Sequence, residues 1–185
     1  DTLVVFSKMR NMPLQVVEAF RFSPAEDKLL LKSGNEYYIY RIGTNRAEKL
    51  SNNGSQIAPI FSNDGNMVAF VRNNNIFIKR LQFDTEVQVT TDGGKDVANG
   101  VRHQKITHAF GELTSMAWSA DNSSLVYIKN QQVYIYNVQY KWNKQVELPQ
   151  FTDGYVTHIQ WTNSDNDFVV MYLNRPQTEL SVAIV

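Results

Sequence analysis

Within nine residues, "VRHQKITHA" between Gly100 and Phe110, the sequence places Arg102, His103, Lys105 and His108 and no acid. With neutral histidines this stretch carries about +2 at neutral pH. Such a surface repels an amine and accepts a carboxylate or an acidic partner. Metal binding is poorly served. His103 and His108 are five apart, on opposite sides of a strand and badly aligned on a helix, with no third ligand nearby in sequence. The plain structural alternative is a solvated linker between repeated units.

The other residues able to do chemistry are scattered. His158 alternates with Ile159 on a predicted strand, where a satisfied structural histidine is the simpler reading than a tuned base. Trp118 and Trp161 could stack a ligand, but their fixed place in a repeat points to packing. Trp142, in the polar turn "YKWNK", fits no repeat position and is a partner-contact candidate. Asp64, Asp121 and Asp165 sit in turns, where a carboxylate caps backbone N–H groups. "NSDND" (163–167) is only a weak match to a calcium loop, and Asn53-Gly54-Ser55 and Asn122-Ser123-Ser124 match glycosylation acceptors. No catalytic residue, metal site or cofactor is assigned.

The elements that must position these residues repeat. An aromatic followed by Ser or Thr recurs as Phe22-Ser23, Phe61-Ser62, Trp118-Ser119 and Trp161-Thr162. An acidic turn follows ("PAED", "NDGN", "ADNS", "NSDND"), then an apolar strand ("KLLLK", "MVAFVR", "LVYIK", "FVVMYL"), a polar turn and another strand ("YYIYRI", "IFIKRL", "VYIYNV", "LSVAIV"). Tyr38, Tyr40 and Ile42 should share a face, as should Tyr134 and Tyr136. The first three copies add a short further strand. The anchors lie 39, 57 and 43 residues apart. A period of ~40 residues with four strands is that of a β-propeller blade. An immunoglobulin-like sandwich gives no reason for the repeated aromatic-Ser-turn-Asp unit. The fold class is therefore all-β, a propeller of about four blades (17–51, 57–91, 113–149 and 156–185) in one domain, 1–185. The insert 92–112 divides blades two and three.

Bulk composition agrees with a globular chain: 43 % hydrophobic, 19 % charged, with Lys plus Arg and Asp plus Glu both 18. A neutral chain lacks the overall charge that nucleic acid or an anionic membrane attracts. There is no cysteine, and no run approaches a membrane span. The fourth copy ends after its third strand. Thr2 to Phe6 could supply the outer strand and close a ring, or the chain is a piece of a longer propeller. An uncovered edge would also permit a homodimer.

"PIFSNDGNMVAFVRNNNIFIKRL", followed by "VTTDGGKDVANGV" and "WSADNSSLVYI", resembles the early blades of bacterial dipeptidyl peptidase IV-like proteins of the prolyl oligopeptidase family, and "DGYVTHIQWTNSDNDFVVMYLNRPQTEL" resembles a later one. The resemblance implies an eight-bladed propeller followed by an α/β-hydrolase domain that removes N-terminal dipeptides, and a periplasmic, cell-surface or secreted location. Three departures qualify it. The family's Gly-x-Ser-x-Gly elbow is absent, and Gly54-Ser55 lies in a polar linker. Between "NG" and "FG" relatives carry an Asp-Trp-x-Tyr-Glu-Glu segment that grips the substrate ammonium. Here the acidic positions fall on Thr107, His108 and Ala109. Blade one has a tight turn, "KSGNE", where relatives carry an Arg-bearing excursion, and blade three is similarly trimmed. The resemblance thus implies a non-catalytic propeller region of a serine exopeptidase, or of its degenerate relative, that gates a substrate or binds a peptide or protein. A stand-alone TolB-like or WD-repeat-like interaction module is the alternative.

Overall fold

The computed structural model describes residues 16–44, 46–101, 115–148, 151, 153–164 and 166–185. Arg102, His103, Lys105, His108 and Asp165, and the strand expected at Thr2 to Phe6, lie outside them. Alternating apolar and polar residues between turn signals form four antiparallel meanders. Blade one comprises β1 (Ala19–Phe22), β2 (Lys28–Ser33), β3 (Glu36–Arg41) and β4 (Arg46–Lys49). Blade two comprises β5 (Ile57–Phe61), β6 (Met67–Arg72), β7 (Asn75–Arg80) and β8 (Thr85–Gln88). Blade three comprises β9 (Met116–Trp118), β10 (Ser124–Lys129), β11 (Gln132–Asn137) and β12 (Asn143–Val146). Blade four has three strands, β13 (Gly154–Trp161), β14 (Phe168–Asn174) and β15 (Leu180–Ile184).

The repeated Ser explains the repeated sequence. Ser23, Ser62 and Ser119 are buried at the end of each first strand. Each hydroxyl donates to the turn Asp (Asp27, Asp64, Asp121) and accepts from the backbone N–H of Lys28, Met67 or Ser124. Asp64 and Asp121 also accept from the backbone N–H of Asn66 and Ser123, closing the hairpin as the turn chemistry requires. The Ser62→Ala variant strands a buried N–H and a partly buried carboxylate oxygen. It should lose about 2 kcal/mol in a urea titration, with an unchanged denaturant slope.

Second and third strands meet in tight turns with two left-handed residues, Asn73-Asn74 and Asn130-Gln131. These match the right-handed twist of the hairpins. Ile42 departs from its expected place. It begins a short 3-10 turn (Ile42–Thr44) rather than continuing β3, so it leaves the face of Tyr38 and Tyr40 and is exposed.

The blades pack face to face, and each junction sets aliphatic side chains on a largely aromatic surface. Leu30, Ile39 and Leu50 of blade one meet Phe61, Phe70 and Phe77 of blade two. Val71, Ile76 and Ile78 of blade two meet Trp118, Tyr127 and Tyr136 of blade three. Val126, Ile128 and Val133 of blade three meet Trp161, Phe168 and Tyr172 of blade four. Trp161 Nε1 donates to the Ala117 carbonyl of the preceding blade at 3.0 Å. Both repeat tryptophans are thus inter-blade packing residues. The onward face of blade four is aliphatic too, with Leu180, Val182 and Ile184 at 44, 61 and 74 % exposure.

Candidate functional site

The insert is carried on a pedestal made by its own roots. The chain leaves blade two through Asp92–Gly100, and several polar groups along this run bond to the turns of blades two and three. Gly93 N–H donates to Asn75 Oδ1, and the Gly94 carbonyl accepts from Asn74 Nδ2. Ala98 N–H donates to Asn130 Oδ1, while Asn130 Nδ2 donates to the Asp96 carbonyl. Asn99 is fully buried; its side-chain amide donates to the Asn74 carbonyl at 3.1 Å and to Asp92 Oδ1 at 3.0 Å. The Asn99 carbonyl oxygen Oδ1 has no partner among the described residues.

Gly100 fixes the exit. Its φ of +70° is a left-handed conformation, and an added Cβ would lie 2.8 Å from Val71 Cγ2 and 2.9 Å from Met116 Sδ. Its N–H donates to the Ile128 carbonyl at 2.7 Å, and its own carbonyl accepts from Ser115 Oγ at 2.5 Å. Ser115 closes the circuit, since its carbonyl accepts from Ile128 N–H at 3.0 Å. The two ends of 101–114 therefore meet at one point beside Ile128, the geometry of a loop with closed ends.

Charge on the pedestal is balanced locally. Lys129 donates to Asp92 Oδ2 and lies 5.0 Å from the centre of the Tyr134 ring. The ammonium of Lys129, with the amide of Asn99 adding to it, holds the Asp92 carboxyl below the usual carboxylate range. Burial, with Asp92 nearby, pushes the Tyr127 phenol far up, so it stays neutral and donates to Asn143 Oδ1 at 3.2 Å. Asn143 in turn donates to the Val89 carbonyl and ties blade three to the start of this run.

The pedestal stands on the face that carries the second-to-third-strand turns. Two of the turns named above as trimmed, "SGNE" (33–36) and "KNQQ" (129–132), lie on that same side. Sequence reasoning missed Asp92, Asn99, Ser115 and Lys129. The available signal was the pairing of "DGG" and "NG" at the start of the insert, since consecutive Gly and Asn in a linker mark a backbone held against something.

The other candidates are dispersed. A cavity of about 590 Å³ opens along the inner strands of blades two to four, with Asn63, Trp118, His158, Gln160 and Trp161 among its lining residues and no Asp, Glu, Lys or Arg. His158 Nε2 lies 3.3 Å from Gln160 Oε1. Trp142 is 44 % exposed, far in sequence and blade position from the pedestal, in the turn between β11 and β12. Among the described residues no three His, Cys, Asp or Glu side chains could hold a metal ion. No described helix is long and apolar enough to cross a membrane.

An arc of meander blades, with the two roots of an inter-blade insert bonded together on one face, defines a β-propeller region. The family described as the dipeptidyl peptidase IV (DPP IV) N-terminal region matches over residues 23–132 and 130–185, and the chain belongs to it. Dipeptidyl peptidase 4 of Porphyromonas gingivalis is 31 % identical and superimposes with a TM-score of 0.84, over 97 % of this chain and 32 % of that one. Dipeptidyl-aminopeptidase B of Aspergillus niger is 30 % identical over 134 residues, 64 % of this chain and 15 % of that protein. TolB of Acinetobacter baumannii shares the fold alone, at 16 % identity and a TM-score of 0.61 over 91 % of this chain and 40 % of that one. The chain spans 11 to 15 % of the length of the fungal relatives it matches.

Proposed function

We propose that this chain is the non-catalytic propeller part of a dipeptidyl peptidase IV-like exopeptidase, of bacterial type and exported from the cytoplasm, in which the propeller gates a serine hydrolase site without gripping the substrate amine. One observation carries this reading. The pedestal of Asp92, Asn99, Gly100 and Ser115 is tied to two blades, while the stretch that follows it has Thr107, His108 and Ala109 where the resemblance puts acids, and Arg102 and Lys105 beside them. The stretch keeps the flanking "NG" and "FG" of the resemblance and the length between them, and its net charge has changed sign. Arg102, His103, Lys105 and His108 then face an acidic group, either a carboxylate of a peptide or an acidic partner surface. Family membership supports this over a free-standing interaction module, because the TolB likeness reaches only the fold.

The test has two arms. The full-length protein, assayed with a Gly-Pro dipeptidyl substrate, should show a KM raised at least tenfold over a relative with the acidic pair, about 1.4 kcal/mol of lost ground-state binding. Normal KM and kcat would show that another acid holds the amine. In the second arm, Arg102→Ala with Lys105→Ala should weaken binding of an acidic peptide; unchanged binding returns the loop to a solvated linker.

A further inference from the structure

One surface of the arc is unused by the pedestal and the cavity. The third and fourth strands of blades one to three are joined by turns that each expose an apolar side chain: Ile42 (38 %), Phe83 (65 %), and Tyr140 with Trp142 (71 and 44 %). These turns share one side with the Ser–Asp hairpins, because Ile42, Leu81 and Val138 donate their N–H groups to the Asp27, Asn66 and Ser123 carbonyls. That side is opposite to the pedestal. The turns adjoin around the rim, since Arg41 Nη2 of blade one reaches the Leu81 carbonyl of blade two at 3.3 Å.

The same turns are flanked by cations. Arg46, Arg80, Lys141 and Lys144 are exposed and make no ion pair among the described residues. Arg41 and Lys79 also stand here but are neutralised by Glu48 and Asp84. Apart from Glu48 and Asp84, the acids of this side lie inboard, at the first hairpin turns. Asp27 is paired with Lys28, and Asp64 and Asp121 accept from their own serines and backbone. Glu26, Asp64, Asp121 and Asp167 are exposed there. The chain's overall neutrality hides this separation, with a surplus of positive charge outboard and of negative charge inboard.

We propose that this rim is a peripheral contact surface for a phospholipid bilayer bearing anionic headgroups. Two features favour lipid over a protein partner. The apolar residues recur in the third-to-fourth-strand turn of blades one to three, a row suited to a broad, flat surface. Their types, Phe, Tyr and Trp beside Lys and Arg, are those that settle at the level of lipid headgroups, ring inward and cation on phosphate. The contact orients the pedestal face, and any site above it, away from the membrane. It does not depend on the function proposed above.

The experiment is co-sedimentation of the purified chain with vesicles of phosphatidylcholine alone and of phosphatidylcholine with phosphatidylglycerol, read together with Trp142 emission. Binding should require the anionic lipid and fall steeply as salt is raised. Phe83→Ser with Trp142→Ser should abolish it. Arg80→Gln with Lys141→Gln should weaken it by about 25-fold, at about fivefold per removed cation. Brominated acyl chains should quench the exposed Trp142 in the wild type, and a Trp142→Phe chain, which keeps the buried Trp118, should show little quenching. Equal sedimentation with neutral vesicles, no sedimentation with either, or binding untouched by the paired substitutions overturns the proposal. A rim that instead captures a soluble acidic protein with no affinity for vesicles overturns it as well.

Discussion

Replacing Arg72 by Met should cost about 3 to 5 kcal/mol of folding stability, among the largest effects of any polar substitution in the chain. Arg72 ends β6, and its side chain is only 10 % exposed. It donates to Glu86 Oε1 at 2.6 Å and to Ser51 Oγ at 2.9 Å, and its guanidinium lies 3.8 Å from the centre of the Phe77 ring. Ser51, from the segment joining blade one to blade two, donates to the other Glu86 oxygen at 2.7 Å. Removing the cation leaves a carboxylate at 15 % exposure without its counter-charge. The double variant Arg72→Met with Glu86→Leu should recover much of the loss, because the uncompensated charge goes with it. Chemical denaturation of the four chains of this cycle gives the coupling directly.

The same group sets an acid limit. Burial alone would push the Glu86 carboxyl up, but Arg72 and Ser51 outweigh it and hold it below the usual range. A carboxyl depressed in the folded state contributes its stability above the unfolded value, near 4.3, and loses it as pH falls through the folded value. The wild type should therefore lose stability below about pH 4.5. Glu86→Gln should be less stable at neutral pH and should lack that share of the acid slope. A parallel pH dependence in both chains would show that Glu86 contributes nothing to it.

The second large effect is at Gly100. Alanine there must adopt a left-handed φ and place its Cβ within 3.0 Å of Val71, Met116 and Ile76. The backbone conformation costs about 1 to 2 kcal/mol and the overpacking about 1 to 3. A loss near 3 kcal/mol should appear in thermal unfolding, together with faster proteolytic cutting within 101–114 as the pinned ends separate. Unaltered cutting with lowered stability would mean that packing, not loop closure, is what Gly100 serves.

How much of this was readable beforehand follows from the range of the interactions. The blade signature is local. An aromatic, a Ser, a turn Asp and an alternating strand lie within about ten residues, so Phe61-Ser62 and Trp118-Ser119 announce their hairpins in the sequence alone. The pedestal is not local. Asn99 finds Asn74, and Ser115 finds Gly100, only after blades two and three have packed. No spacing in a single sequence specifies that meeting. Ile42 was misplaced for a related reason. Its alternation with Tyr38 and Tyr40 is genuine, but Gly43 and Thr44 behind it favour a turn, and turn chemistry overrides period at a strand end. The basic insert could be read only as composition, and its part in function rests on the resemblance and on the two ends that hold it.

The alternation of aliphatic and aromatic faces gives the blades interchangeable seams with a built-in polarity. On the outer face of blade one Leu29, Leu31, Tyr38 and Tyr40 are buried, whereas on that of blade four Leu180, Val182 and Ile184 are exposed. A chimera that grafts the sequence of blade three behind blade four would present Trp118, Tyr127 and Tyr136 to Val182 and Ile184, the same kind of junction used at every internal seam. Placed ahead of blade one, the same blade would set Val126, Ile128 and Val133 against Tyr38 and Tyr40, again aliphatic on aromatic. Gene duplication that copies whole blades thus preserves the sense of every seam without further adjustment.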